Sequence, residues 1–360
     1  MKFLILIGGG RAGIDLFQSL LDNHPQISQF PGVFNWYDFY SKIKNSNKPE
    51  QIYKEFIKRY SMFFDSRKNK LERHDKLGNK KNEFYFIDKK IFVKKFLDLL
   101  TKKEINKKNI LIALHLAYSY SSGQNLKSKK IIAINLHTEE NIRCLKGLNY
   151  KTLYTIREPL VSLSSGFKHW LAYKKGAHVT AWSIFYHIDR QFNSLKKISK
   201  KDKSAFVIKL EKLHQNSEFT MRKFCKEVNI KFGYSLLKST YHKKKWWGDS
   251  LSKKYLNGLN KKFKNKLYPD IFFNNDLHLF RFFLFPIYQK YYNSKLIKKK
   301  INNNFIKFYP LKIEYLIFKR MLKKKSFLGL ISCFYYYFKR INLMKENHFK
   351  KVKLPKILNK

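Results

Sequence analysis

Acidic residues, cysteines and long apolar runs are all scarce in this chain of 360 residues. Aspartate and glutamate number 25 against 76 lysines and arginines, giving a formal net charge of +51. Such an imbalance attracts anions: a cofactor, an acidic glycan, a membrane surface or a nucleic acid. A solvated lysine-rich surface is its simplest expression. The three cysteines, Cys144, Cys225 and Cys333, are scattered and odd in number. That argues against a disulfide framework or a zinc site and favours a reducing compartment. The longest later apolar run, Phe327 to Phe338, falls short of the roughly 20 residues that span a bilayer. The run after Met1-Lys2 is too short for a signal peptide and leads directly into glycines. A cytoplasmic protein, soluble or peripheral to a membrane, is therefore the default expectation. No internal repeat is visible. No helix-turn-helix, zinc finger or other nucleic-acid module is evident, so nucleic acid is not the expected partner.

What stands out instead is the opening stretch, FLILIGGGRAGIDLFQSLLDNHPQI. Phe3 to Ile7 is a continuous apolar run bounded by glycine, the pattern of a buried parallel strand. Gly8, Gly9 and Gly10 allow a sharp turn and a close approach of backbone to ligand. From Gly13 onward, Phe17, Leu20 and Leu21 recur at helical spacing. A strand, a glycine loop and a helix start make an anion site, and Arg11 adds a bidentate cation.

Gly8, Gly10 and Gly13 satisfy the dinucleotide fingerprint, but the expected second strand ending in an acid is missing from HPQISQFPGVFNW. The kinase-type loop fails too, because Ile14 and Asp15 follow Gly13. The stretch resembles the 5′-phosphosulfate loop of the sulfotransferase family, G-x-x-[RK]-[SA]-G-T-T-L, followed by a helix and a His-Pro pair. Arg11, Ala12, Gly13, Leu16 and His24-Pro25 match. Ile14 and Asp15 replace the two threonines. The resemblance implies a P-loop-like three-layer α/β fold, with a central parallel sheet flanked by helices.

Further along, residues 49–70 read as helical, 64–84 as largely loop, FYFIDKKIFVKKFLDLL as a short strand then a helix, and Ile110 to Tyr120 as a buried helix. Ile131 to Leu136 and Tyr150 to Ile156 read as strands. Thr138 with Glu140 marks a helix start between them, and Pro159 starts the next helix. Alternating strands and helices spell a parallel α/β sheet. A long helix over 177–200 and a strand, turn and helix from Ala205 follow. From about residue 266 the character becomes Lys, Phe, Tyr and Asn without clear strands. The expected organisation is an α/β domain over 1–265 and a basic, aromatic helical extension over 266–360. That extension reads either as a cap on the catalytic domain or as a segment lying on anionic bilayers.

Three more segments carry chemistry. In YTIREPLVSLSS, Arg157 stands at a strand end and Ser165 eight residues later. One arginine fork and one hydroxyl can grip a phosphate dianion. The family's 3′-phosphate site resembles this arrangement. His137 follows the strand Ile131 to Leu136, and imidazole suits a general base because it titrates near neutrality. Several sulfotransferases place their base at about this point. VIKLEKL keeps the Glu211 and Leu213 of a family strand, with Leu210 and Lys212 departing from it. In KKKWWGDSL, Lys243 to Lys245 are positioned to bind phosphate and Trp246 or Trp247 to stack on adenine, next to Gly248. Tryptophans in the core and lysines in water is the competing reading.

The resemblance covers roughly residues 1–260. It implies transfer of a sulfuryl group from 3′-phosphoadenosine 5′-phosphosulfate (PAPS) to a hydroxyl of a carbohydrate or glycolipid, as in the bacterial carbohydrate-acting branch. Gly8, Gly9, Gly10, Arg11, Ala12, Gly13, Ile14, Asp15, Arg157, Ser165, Lys245, Trp246, Trp247 and Gly248 would bind the donor. Arg11 and His137 would act in catalysis, and no metal is required. Asp15 is expected to pair with Arg11 or a lysine; capping the helix, or abolishing donor binding, are the alternatives. A degenerate fold that binds nucleotide or membrane without turnover is the rival reading.

Overall fold

The computed structural model describes residues 1–172, 177–250, 254–293, 308–346 and 353–359, and of residues 177–179 the backbone alone. The chain opens with β1 (Lys2–Gly8), the glycine loop and α1 (Ile14–Leu20), then β2 (Ile27–Gln29). Helices α2 (Trp36–Ile43), α3 (Pro49–Arg59), α4 (Ser61–Phe64), α5 (Lys89–Leu100) and α6 (Lys107–Ser121) intervene. The sheet resumes with β3 (Ile131–His137) and β4 (Tyr150–Ile156), followed by α7 (Pro159–Ala172) and α8 (Ala177–Lys201). Next come β5 (Phe206–Lys209), α9 (Leu210–Gln215), α10 (Ser217–Val228), and a hairpin of β6 (Thr240–Tyr241) with β7 (Lys244–Lys245). Helices α11 (Asn274–Phe283), α12 (Phe285–Tyr292), α13 (Lys312–Lys323) and α14 (Phe327–Glu346) precede β8 (Lys356–Ile357).

Six strands form one sheet in the order β2-β3-β1-β4-β5-β8, every neighbouring pair parallel. The period of two along β1 explains why it carries no polar residue between Phe3 and Ile7. Phe3, Ile5 and Ile7 enter one core and Leu4 and Leu6 the other, because helices cover both faces. The first core is crowded with rings: Phe30 packs against Phe34, Phe56, Phe63 and Tyr118 at centroid distances of 5.0–5.2 Å. The second gathers α1 and α10, where Phe17 meets Phe224 edge-on at 5.1 Å.

This is the three-layer α/β architecture expected, with the glycine loop joining its central strand to α1. Several local expectations differ. The strand around Phe84 to Phe86 does not form; Phe86 makes one isolated bridge with Asp65 and its ring is exposed. The helix over 49–70 breaks after Arg59, and the segment after Thr138 is a 3₁₀ turn, Glu139–Leu145. The acid-terminated strand absent from HPQISQFPGVFNW is replaced by β2, only three residues long. Beyond residue 266 the described residues are mostly in helices α11 to α14, but, against the expectation of no clear strand, the segment also delivers β8 to the sheet. Phe206 and Val207 pair with Lys356 and Ile357. The Asn359 side chain then accepts from Lys209 N at 2.8 Å and donates to Lys209 O at 3.0 Å.

Chain direction across the sheet switches between β1 and β4. β1 leads toward β2 and β3, and β4 leads toward β5. In open parallel sheets the crevice outside the carboxyl ends at such a switch is where ligands bind.

Candidate active site

The carboxyl ends of β3, β1, β4 and β5 open into one cavity of about 920 Å³, and His137, Gly8, Arg157 and Leu210 line it. Residues 20 to 202 positions apart therefore meet because the strands are parallel, with Ile7 opposite both His137 and Tyr154.

The glycine loop is held from behind. Ser162 on α7 donates its hydroxyl to Gly10 O at 2.6 Å. From α8, Gln191 Nε2 donates to Gly9 O and, at 2.9 Å, to Ser162 Oγ. Arg190 Nη2 donates to Gly8 O and, at 2.7 Å, to His137 O. His187 Nε2 donates to Ser162 O at 3.0 Å. Two glycines are obligatory here. Gly10 (φ +70°) would place a Cβ 2.6 Å from the His187 ring, and Gly13 (φ +78°) one 2.4 Å from Leu210. Such approaches leave no room for a side chain, and the left-handed backbone disfavours one independently. With its carbonyls engaged, the loop keeps its donors: the N–H groups of Gly10, Arg11, Ala12 and Gly13 bond to no other described residue.

Charges line the cavity in opposition. Arg11 stands 3.7 Å from Asp249, and its Nε is buried without a partner. Among the described residues Asp15 pairs with neither Arg11 nor a lysine, contrary to expectation. It accepts from Asn135 Nδ2 at 3.2 Å, and that amide also donates to Gln18 Oε1 at 2.7 Å. Burial, and then the nearby Asp249, raise the Asp15 pKa to about 6, against the opposing pull of Asn135, Arg11 and Arg190. Glu72 is pushed well above the usual carboxylate range by burial and by Asp15 and Asp249.

Arg157 also faces the cavity. Its Nε donates to Asn265 Oδ1 at 3.1 Å, and its guanidinium lies 5.6 Å from the Phe263 ring centre. Glu211 braces the same turn, accepting from Glu158 N and Asn265 Nδ2, each at 2.8 Å. His137 adopts φ +62° and its Nδ1 is buried without a partner. Burial, reinforced by Arg190, lowers its pKa to about 3, so the ring is neutral at physiological pH.

Of the residues singled out from the sequence, Gly8, Gly10, Arg11, Ala12, Gly13, Ile14, Asp15, His137, Arg157, Trp246 and Gly248 line this one cavity. Gly9, Ser165, Lys245 and Trp247 do not. Gly9 is the loop's buried anchor, with its N–H on Thr155 O at 2.9 Å. Ser165 is half-buried on α7, and the serine touching the loop is Ser162, one helical turn earlier. Lys245 lines an adjoining cavity of about 740 Å³ with Lys243 and Lys244, its ammonium 4.0 Å from the Trp247 ring centre. Trp246 is a core residue, as the competing reading held: its ring is buried and its indole N–H donates to Glu72 O at 2.6 Å.

Sequence reasoning missed Ser162, His187, Arg190, Gln191, Asn135 and Asp249. A signal for the α8 group existed. His187, Arg190 and Gln191 are large polar residues three and four apart on a helix whose other buried positions include Ile184, Ile188, Phe192 and Leu195. Asn135 and Asp249 carry no local signal.

No protein-family pattern matches the chain, and no curated protein matches it. Among solved structures, it is similar to the sulfotransferase domain from the Synechococcus PCC 7002 olefin synthase. The two share 12% identity over 70% of this chain and 79% of that one, with a TM-score of 0.35.

Proposed function

We propose that the chain binds 3′-phosphoadenosine 5′-phosphosulfate and transfers its sulfuryl group to a hydroxyl. One observation carries this reading: Arg11, on a glycine loop with free N–H groups, and Arg157, at the neighbouring strand end, line the same cavity. A donor with phosphate groups at both ends of its nucleoside needs two such cationic subsites. Arg157 would take the 3′-phosphate and position the donor. Arg11 and the loop N–H groups would stabilise charge on the bridging oxygen as its bond to sulfur breaks. The acceptor oxygen attacks sulfur in line, its proton passes to a base, and 3′-phosphoadenosine 5′-phosphate leaves. A carbohydrate or glycolipid acceptor rests on the sequence resemblance alone.

Two groups on the cavity wall can take that proton. His137 is neutral and ready to accept, but a pKa of about 3 makes it a weak base until an anionic donor lies beside it. Asp15, at about 6, is better matched to neutral pH. The pH profile separates them. An activity limb near pH 6 that vanishes in Asp15→Asn identifies Asp15. An unchanged limb in that variant, with loss of turnover in His137→Ala, identifies His137.

The rival is a nucleotide-binding protein without turnover. Ile14 favours it, since its buried side chain sits under Gly8 where the family motif supplies a hydroxyl. Radiosulfate-labelled donor incubated with the purified protein and a cell extract decides between them. Labelled acceptor supports transfer; tight binding of 3′-phosphoadenosine 5′-phosphate with no labelled product supports the rival.

A further inference from the structure

Helix α14 is anchored on one side and bare on the other. Its inner face packs on α8 and α13. A buried bidentate ion pair fixes it there, Arg340 Nε and Nη2 donating to Glu314 at 3.0 and 2.8 Å. Its outer face is apolar for three turns. Phe327, Leu328, Ile331, Phe334, Tyr335 and Phe338 follow helical spacing onto one side, each between 48% and 76% exposed. Water-facing surfaces seldom gather so many large apolar side chains. Lysines border them: Lys323, Lys324 and Lys325 before the helix, and Lys339 and Lys345 beyond the apolar turns, all exposed.

That pattern selects among occupants. A second copy of the chain would set these lysines, and a net charge of +51, against themselves. A nucleic acid would meet rings where its phosphates need cations. An anionic bilayer satisfies both parts. The rings enter the boundary between headgroups and acyl chains, while the lysines reach back to the headgroups. Phe334 also lines an apolar cavity of about 330 Å³ between α8, α13 and α14, so apolar volume continues behind the stripe. No helix among the described residues is long and apolar enough to cross a membrane, which leaves the surface. We propose that α14 seats the protein on an anionic lipid bilayer, by inserting the ring-bearing outer face of its first three turns among the headgroups. This inference is independent of sulfuryl transfer.

The test is flotation of the full chain with phosphatidylcholine–phosphatidylglycerol vesicles, against phosphatidylcholine alone. The wild type should float with the mixed vesicles only. The combined change Ile331→Ser, Phe334→Ser and Phe338→Ser should weaken partitioning about tenfold or more, with the melting temperature unchanged. If that variant melts early, the single Phe338→Asp gives the same readout at an exposed position. Lys323→Glu, Lys324→Glu and Lys325→Glu together should also weaken binding and flatten its salt dependence. Equal flotation of wild type and serine variant overturns the proposal, since net charge alone would then explain binding. So does a wild type that stays unbound, or one whose dimer in sedimentation is dissolved by the serine changes.

Discussion

The turn after β1 and the turn after β4 each deliver an arginine to the same cavity, but they are built differently. Behind the first, buried side chains from α7 and α8 hold the carbonyls of Gly8, Gly9 and Gly10. Behind the second, half-buried Arg157 leans on Asn265 and a phenylalanine ring, and Glu211 ties the turn to the segment around residue 265. The first turn is a cradle held by buried hydrogen bonds. The second is braced by side chains nearer the surface. Motif letters report the cradle well, because glycine spacing is a backbone requirement. They report the second site poorly, because its geometry is settled by residues a hundred positions away.

The largest expected effect tests the fixed cradle. Gly10→Val forces a branched side chain into the His187 ring at a left-handed backbone, and should cost about 2–4 kcal/mol of stability. Gly147→Ala has a similar backbone (φ +87°) but nothing within 4 Å of its Cβ, and should cost about 1 kcal/mol. Urea unfolding of both compares them, and equal losses would show that the cradle is not close-packed.

Next is the turn after β4. Arg157→Ala should weaken binding of 3′-phosphoadenosine 5′-phosphate by about 10- to 100-fold, the worth of charge-assisted hydrogen bonds. Binding of AMP, which lacks the 3′-phosphate, should change little. Calorimetry showing the same loss for both nucleotides would move the 3′-phosphate site elsewhere.

Asp15 sharpens the comparison through pH. Its carboxyl is raised to about 6 in the folded protein, so the folded state holds that proton more tightly than the unfolded chain does. Its ionisation therefore costs stability: the folded state weakens as pH rises from about 4 to about 6, by roughly 3 kcal/mol, and then levels off. Donor affinity should rise as pH falls toward 6, because a neutral carboxyl no longer repels phosphate. Asp15→Asn should flatten both profiles and raise affinity at pH 7.5. Unchanged profiles in that variant would mean another group sets them.

The smallest effect separates two serines on α7. Ser165→Ala should leave donor binding and stability within about 0.5 kcal/mol, whereas Ser162→Ala should cost about 1–2 kcal/mol through the unmet Gly10 carbonyl. A Ser165 variant that loses affinity would show that the helix turns on binding.

Much of the fold is legible from residues 1–265. β1 carries an unbroken apolar run and β3 is interrupted only by Asn135 before its last residue, and such runs show themselves without context; β4, with Lys151, Thr152 and Thr155, shows itself by its aromatic and β-branched residues. β2, β6, β7 and β8 hold two or three residues each, too few for any period to appear. The glycine loop is legible because its spacing is local, and Arg157 only as an arginine at a strand end, without the partners that place it. The partner of Asp15 is not legible: Asn135 lies 120 positions away, and only the register of β3 beside β1 brings it within reach. Arg190 is 182 positions from Gly8, one of the two residues whose carbonyls it holds. Ser165 lies outside the cavity lining, which its spacing from Arg157 does not reveal, because spacing along a helix gives a direction only when the helix's own orientation is known.

The pairing of β5 with β8 sets a timetable for synthesis. Residues 206–209 leave the ribosome about 150 residues before the segment that closes their edge. At about 5–20 residues per second, that edge waits roughly 8 to 30 seconds. Through this interval Phe206, Val207 and Ile208 form a short, apolar strand with one side unpaired, the kind of edge on which nascent chains join one another. We expect a holdase chaperone to bind this edge of the growing chain until β8 covers it. Ribosome-bound chains halted before Lys353 should therefore be captured by such a chaperone and chains extended past Asn359 released, and equal capture of the two would show that the sheet closes without β8.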